Sequence, residues 1–458
     1  MREGRSRPPV EPRWRRLRAL SLGLALSGIV LLVIGTLDNF SGGLSGERPD
    51  PTAFVAAAVC GFASFLAGVV GWVKTSGRDV VRAWPLAAGV IGGLVVFAGV
   101  RGAYENSRPP AECRDWDVAG SAPATNALNG VAATSASNAW AVGRCSAGSP
   151  DKTLILHWDG SSWERQPSPN VGWGINVLRG VAASSASEAW AVGGYAPEGG
   201  TNYNVLIARW DGVRWTRQPS PVDGEPAELS GVALTSSSNA WAVGWSNSGA
   251  VILHWDGSMW TDQAPPDLGA GVYPYLLGVA ATSDRDAWAV GRYGGWTEDP
   301  VRAVVFHWNG TAWTNLAVPR VGAGDNILNA VSAASPTDVW AVGSYEHGTG
   351  TRALILHWDG EAWTRDRLPD PRSGSYESLT GVAAASPNTV WAVGVRHQDA
   401  IVLCWNGSTW EERPGPDVGT GANLLNGVGT SASSAWAVGL GGDGTAARMQ
   451  LPSCPSPT

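Results

Sequence analysis

The stretch LILHWDGEAWTRDRLPDP, residues 354–371, reads as an apolar run, an Asp-Gly step, and a second short run that ends in prolines. Asp-Gly between two strand-like runs is the strongest short-range hairpin signal in a sequence. Proline stops the second strand because it has no N–H to give to a ladder. The phrase returns as LILHWDGSSWERQPSP from 154, VILHWDGSMWTDQAPP from 251 and VVFHWNGTAWTNLAVP from 304. Ahead of each hairpin stands another repeated phrase, LNGVAATSASNAWAVG at 128–143, whose equivalents close on Trp190, Trp241, Trp288, Trp340, Trp391 and Trp436. Counted from Trp140, the spacings are 50, 51, 47, 52, 51 and 45 residues. A period of this size marks a repeat architecture with one supersecondary unit per copy.

Each unit predicts four strands. The first, as in LNGVAA, has small side chains; the second is AWAVG; the third is LILHW; the fourth follows the DG or NG turn and carries Trp163, Trp215, Trp260, Trp313, Trp363 or Trp410. A lone four-stranded sheet cannot bury both its faces, but radial stacking lets each sheet cover the next. The expected fold is therefore an all-β seven-bladed propeller with four-stranded antiparallel blades. Small residues line the hub, and tryptophans fill the gap as the blades diverge, each burying roughly 150–250 Å². The last copy runs out after a third strand at Ala446–Leu451, whereas RDWDVAG, residues 114–120, is a fourth strand with no blade before it. That N-terminal strand is expected to complete the seventh blade and close the ring. Cys113 and Cys454 would flank the junction and form a disulfide, leaving Cys145 and Cys404 unpaired.

Upstream, composition changes. Residues 19–37, 53–73 and 84–100 are apolar runs without a charge. About 20 apolar residues cross a bilayer core as a helix, so three transmembrane helices are expected to precede the propeller. Seven arginines precede the first run, an acidic loop follows it, and Lys74, Arg78 and Arg82 follow the second. That asymmetry places the N-terminus in the cytoplasm and the propeller outside it. The chain thus divides into a basic cytoplasmic tail (1–18), a three-helix anchor (19–100), a linker (101–112), the propeller (113–454) and a tail (455–458). A net charge of −7 argues against nucleic acid as a partner, and five cysteines without a CxxC spacing argue against a zinc module. No cofactor is expected.

The unit GVAA…AWAVG…HWDGSSW resembles the repeats of sialidase-type (BNR-like) and kelch-like bacterial propellers, and is similar to propellers of the photosystem II assembly factor type. The resemblance covers residues 114–452 and implies a fold; propellers host many activities. Asp159 and Gly160 are adjacent, whereas the sialidase Asp box separates them by one residue, and a kelch-like glycine doublet follows the second strand only at Gly193–Gly194.

His157, His254, His307 and His357 share one slot in the third strand, filled by Arg209 and Cys404 elsewhere. Successive blades hold these side chains too far apart to share a metal, so HWDG reads as structure within a blade. The uniform turns should lie on one face and the variable loops on the other. The variable loops carry the candidate ligand-binding residues Trp173, Tyr195, Trp245, Tyr273, Tyr293, Trp296, Tyr345 and Tyr376. Flat aromatic rings on loops over a rigid scaffold suit a protein or carbohydrate ligand. The expected function is a binding module of the membrane's outer side. A sialidase-like glycan-processing hydrolase or lyase is the first alternative, drawing on Arg144, Arg292 and Arg396 for a substrate carboxylate. An assembly factor for a membrane complex is the second.

Overall fold

The computed structural model describes residues 125–454 apart from 147–149, 173, 198–199, 201, 295–299, 369–375, 416–422, 432, 443 and 453. Seven antiparallel sheets follow one another along the chain, each a simple meander. Blade 1 comprises β1 (Thr125–Ser135), β2 (Asn138–Ser146), β3 (Lys152–Trp158) and β4 (Trp163–Arg165). Blades 2 to 6 repeat this plan over residues 176–218, 227–262, 275–316, 326–365 and 377–413, and blade 7 spans 424–451.

The phrase AWAVG explains how the blades stack. Successive residues of a strand face opposite sides of the sheet. In β2, Ala139 and Ala141 pack toward blade 7, while Trp140 and Val142 pack toward blade 2. In β3, Leu154 and Leu156 face blade 7 and Ile155 faces blade 2. Both faces being covered, the strand is apolar in succession, as in a sheet buried on two sides. The hydrophobic core is thus divided into seven slabs, one between each pair of neighbouring blades. The large member of the phrase always points the same way round the ring. Trp140 lies 5.2 Å from Trp215 and 4.9 Å from Trp210 of blade 2, edge-on to the first at 85° and tilted at 55° to the second. Trp190, Trp241, Trp288 and Trp340 repeat this wedge at the next four interfaces.

The hub depends on glycine and on a bulge. Each first strand slips register beside a small residue, as between Leu128 and Gly130 or Leu425 and Gly427. A β-carbon on Gly180 would sit 3.1 Å from the Cα of Gly231, and one on Gly427 would sit 3.2 Å from the Cα of Gly130. Only glycine admits so close a backbone approach. The residue left over at each bulge reaches to the next blade: Asn129 Nδ2 donates to Leu178 O at 2.7 Å, and Thr380 Oγ1 to Leu425 O at 2.6 Å.

The expected fold is corrected in how the ring closes and in what precedes it. Among the described residues the seventh sheet has three strands, and the ring closes by face-to-face packing of that sheet on blade 1. Trp436 wedges between Trp158 and Trp163 at 4.9 and 5.1 Å, and Asn426 Nδ2 donates to Leu128 O at 2.8 Å. The alternating pattern alone supplies this contact, which is why closure at the 7–1 junction needs no strand exchanged across it. Residues 114–120, expected as the closing strand, lie outside the described residues. So do segments 19–37, 53–73 and 84–100, and no described helix is long and apolar enough to cross a membrane. The expected Cys113–Cys454 bond is also corrected: Cys454 is bonded to Cys404, with the two Cα atoms 6.1 Å apart. Cys404 occupies the histidine slot of blade 6 and faces blade 7, where the chain returns after Leu451. Cys145, expected to be unpaired, is disulfide-bonded as well.

Candidate ligand-binding face

The histidine slot is structural. His157 stacks on Trp140 with ring centroids 4.2 Å apart, and its Nε2 lies 2.7 Å from Asn138 Oδ1 at the start of the same second strand. His307 and His357 make the same pair of contacts with Trp288 and Asp286, and with Trp340 and Asp338. In blade 2, Arg209 covers Trp190 and forks onto Glu188 with two 3.1 Å bonds. Each blade therefore matches the slot to a partner two residues ahead of its tryptophan. Burial lowers the pKa of His157 and His254, which keeps these rings neutral against the indole. No described group of three or more metal-ligating side chains converges.

The DG turn is equally local. Asp159 Oδ1 accepts from the Ser161 and Ser162 N–H groups and from Ser161 Oγ, at 2.7–2.8 Å. These bonds hold its pKa down at about 2, because they favour the ionised form. Trp158 Nε1 then donates 2.9 Å to Ala136 O, tying this turn to the β1–β2 turn on the same face.

The opposite face carries the sites expected to bind. Three of the eight aromatic candidates serve packing. Tyr345 is buried, with the Arg365 guanidinium 4.6 Å over its ring and donating to its hydroxyl at 2.7 Å. Tyr195 carries Arg217 in the same manner at 5.2 Å, and Tyr293 packs against the core between blades 3 and 4. Tyr376 is half exposed but stands in blade 6, apart from the others. Trp173 and Trp296 lie outside the described residues.

The remaining two meet at the junction of blades 3 and 4. Trp245 ends the second strand of blade 3, and its ring lies 5.7 Å from Tyr275, which opens the first strand of blade 4. Tyr275 stands opposite Arg292 in the ladder, and the guanidinium lies 5.6 Å over its ring. Tyr273, 49% exposed, packs beside the Gly249 turn of blade 3. Gly249 has a φ of +121° and so turns the blade-3 loop tightly under Tyr273. The result is a cation stacked on two rings, with a third ring open to solvent. No described carboxylate pairs with Arg292. By contrast Arg144 pairs with Asp151 at 3.2 Å, and Arg396 with Glu377 at 2.6 Å and Glu412 at 2.8 Å. The three arginines that a sialidase-like site would gather are thus spread over blades 1, 4 and 6, two of them committed to carboxylates of their own blade.

A second opening runs along the hub, about 560 Å³ of empty space including its mouth. Backbone of the bulges and residues such as Asn129, Asn329 and Asn426 line it, each asparagine donating to the next blade.

The loops between blades contain a pattern that a reading by tryptophan spacing passes over. Val-Gly-x-Gly-x-Asn occurs at 171–176, 321–326 and 418–423. In the first two, the buried asparagine holds its own loop: Asn176 Oδ1 accepts from Val171 N at 2.7 Å and Nδ2 donates to Gly174 O at 2.8 Å. Asn326 repeats the bonds with Val321 and Gly324. These loops are built to stay put, whereas blade 4 enters through Pro274 and Tyr275 at that place.

No family model matches the chain, and no curated protein matches it. Solved structures similar to it include YCF48 bound to a D1 peptide, at 16% identity over 71% of this chain and 92% of that one, with a TM-score of 0.47. The WD40 β-propeller domain of Doa1 aligns at 12% identity over 72% and 95% of the two chains, with a TM-score of 0.47. The Aleuria aurantia lectin, solved with α-methyl-L-fucoside, aligns at 13% identity over 60% and 91%, with a TM-score of 0.39.

Proposed function

We propose that this propeller is a binding module that takes a protein or glycan ligand on the variable-loop side of blades 3 and 4. The stack of Trp245, Tyr275 and Arg292 beside exposed Tyr273 carries this reading. A guanidinium held flat on an aromatic ring keeps its N–H edge free for a bidentate acceptor. The neighbouring rings offer area that costs little side-chain entropy to order. The rest of the molecule serves to hold that shelf rigid. Two cysteine bonds support residence in an oxidising compartment outside the cytoplasm.

The test is crosslinking of full-length protein in its native setting, beside probing of peptide and glycan arrays with Trp245→Ala, Tyr273→Ala and Arg292→Gln variants. Loss of the crosslinked partner or array signal in all three, with unchanged unfolding midpoints, is the expected result. Retention of binding in all three, or its loss on changes at Tyr376 alone, overturns the location.

A further inference from the structure

The chain contains four Asn-Gly steps, at 129–130, 309–310, 406–407 and 426–427. Glycine after asparagine leaves the backbone nitrogen open to attack the side-chain amide, since no β-carbon shields it. The fold treats the four differently. Asn129 and Asn426 sit in hub bulges with Nδ2 donating to Leu178 O at 2.7 Å and to Leu128 O at 2.8 Å. Asn406 is 5% exposed and donates Nδ2 to Glu411 Oε1 at 2.9 Å. Asn309 is exposed on the tip of the blade-4 hairpin. Its Oδ1 accepts from Thr311 N, Thr311 Oγ1 and Ala312 N at 2.7–3.1 Å, and its Nδ2 donates to no described acceptor. The Gly310 N–H likewise has no described partner.

We propose that Asn309 is a site of spontaneous, fold-selected deamidation, and that its aspartate product is accepted without rearrangement. Gly310 N, on losing its proton, adds to Asn309 Cγ. The Cγ–Nδ2 bond breaks and Nδ2 departs as ammonia with that proton. Water opens the cyclic imide and leaves a carboxylate. Water is consumed, ammonia is released, and no electrons change hands. Three bonds to the side-chain oxygen hold Cγ over the turn, while the leaving nitrogen is free.

The same hairpin position in blades 1, 2, 3 and 6 explains why the product fits, with a difference at blade 6. Asp159, Asp211 and Asp256 stand there, and each accepts from the same two backbone N–H groups; Asp359 does so in blade 5, while blade 6 carries Asn406. The donors that Asn309 uses are those which hold Asp159 and Asp256 ionised down to about pH 2. Deamidation therefore turns blade 4 into a copy of its neighbours and adds one negative charge to that face.

Full-length protein incubated at mildly alkaline pH, digested and mapped by mass spectrometry, tests this. The mass gain of amide-to-acid exchange is expected at Asn309 at least roughly tenfold faster than at Asn129, Asn406 or Asn426. A urea-unfolded sample should show the four sites reacting at similar rates. Equal rates in the folded protein, or a faster Asn406, overturn the selectivity. Asn309→Asp is expected to keep the wild-type unfolding midpoint, and a clear fall would overturn the claim that the turn accepts its product.

Discussion

Two interfaces of the ring solve the same problem by different chemistry. Between blades 3 and 4, Trp241 enters a cage of Trp308 at 5.2 Å and Trp313 at 5.1 Å, with His254 stacked on its own blade's side at 4.2 Å. Between blades 6 and 7, Trp391 has no aromatic partner among the described residues. It packs with Val402, Leu425 and Leu451, and the stacking slot holds Cys404 bonded to Cys454. Thr389 stands where the other blades place the histidine's acceptor, so slot and partner have changed together. A covalent link replaces a wedge where blade 7 has no described fourth strand to supply one. The contrast teaches that the tryptophan phrase is only half an interface; the other half comes from the hairpin of the next blade.

The largest effect that would sharpen this contrast is truncation of a wedge. Trp241→Ala is expected to cost about 3–5 kcal/mol, as for a fully buried large aromatic, while Trp391→Ala falls at the lower end because no ring pairs are lost. Urea midpoints measure both, and equal losses would erase the distinction. Next comes Cys404→Ser. Cysteines 50 residues apart enclose a loop whose closure is worth at most about 4 kcal/mol in the chain-entropy model. A loss of roughly 2–4 kcal/mol is expected, matched by reductant on wild type; no change would show blade 7 held by packing alone. A double-mutant cycle on Trp241 and Trp313 should give about 0.5–1.5 kcal/mol of coupling beyond the single changes. No such partner exists for Trp391.

Acidification gives a smaller, directional test. Burial lowers the pKa of His157 and His254, so their folded forms bind protons less readily than the unfolded chain does. Stability from these rings is full above the unfolded value near 6.5 and falls as pH drops below it toward the depressed folded values. His254→Gln should flatten that part of the stability–pH curve, and an unchanged slope would refute the assignment. Smallest of all, Trp245→Ala should cost about 1 kcal/mol, the worth of its Tyr275 contact, since the ring lies on the surface side of the slab.

The blades were legible because each is encoded locally: DG marks a hairpin, Pro its end, and AWAVG a two-faced strand. Pairing of Cys454 was not, because it depends on which side of blade 6 the chain returns to, and no local pattern carries that. The binding face was legible in outline only. Tyr195, Tyr293 and Tyr345 sit in the same variable loops as Tyr273, and only the arginines from the fourth strand, Arg217 and Arg365, reveal two of them as packing. The stack of Trp245 on Tyr275 crosses between blades, so the pair is invisible to any reading within one repeat.

Because Ala139 and Trp140 belong to different slabs, half of every sheet's interior is finished only by a neighbour. A solitary blade would leave both flanks wet, so the circle must assemble as a cooperative whole. The passage from the seventh sheet to the first carries the same indole clasp as the inner junctions. Rejoining the chain's ends and cutting it elsewhere should consequently be tolerated, and the seam most sensitive to a cut is the one sewn with sulfur.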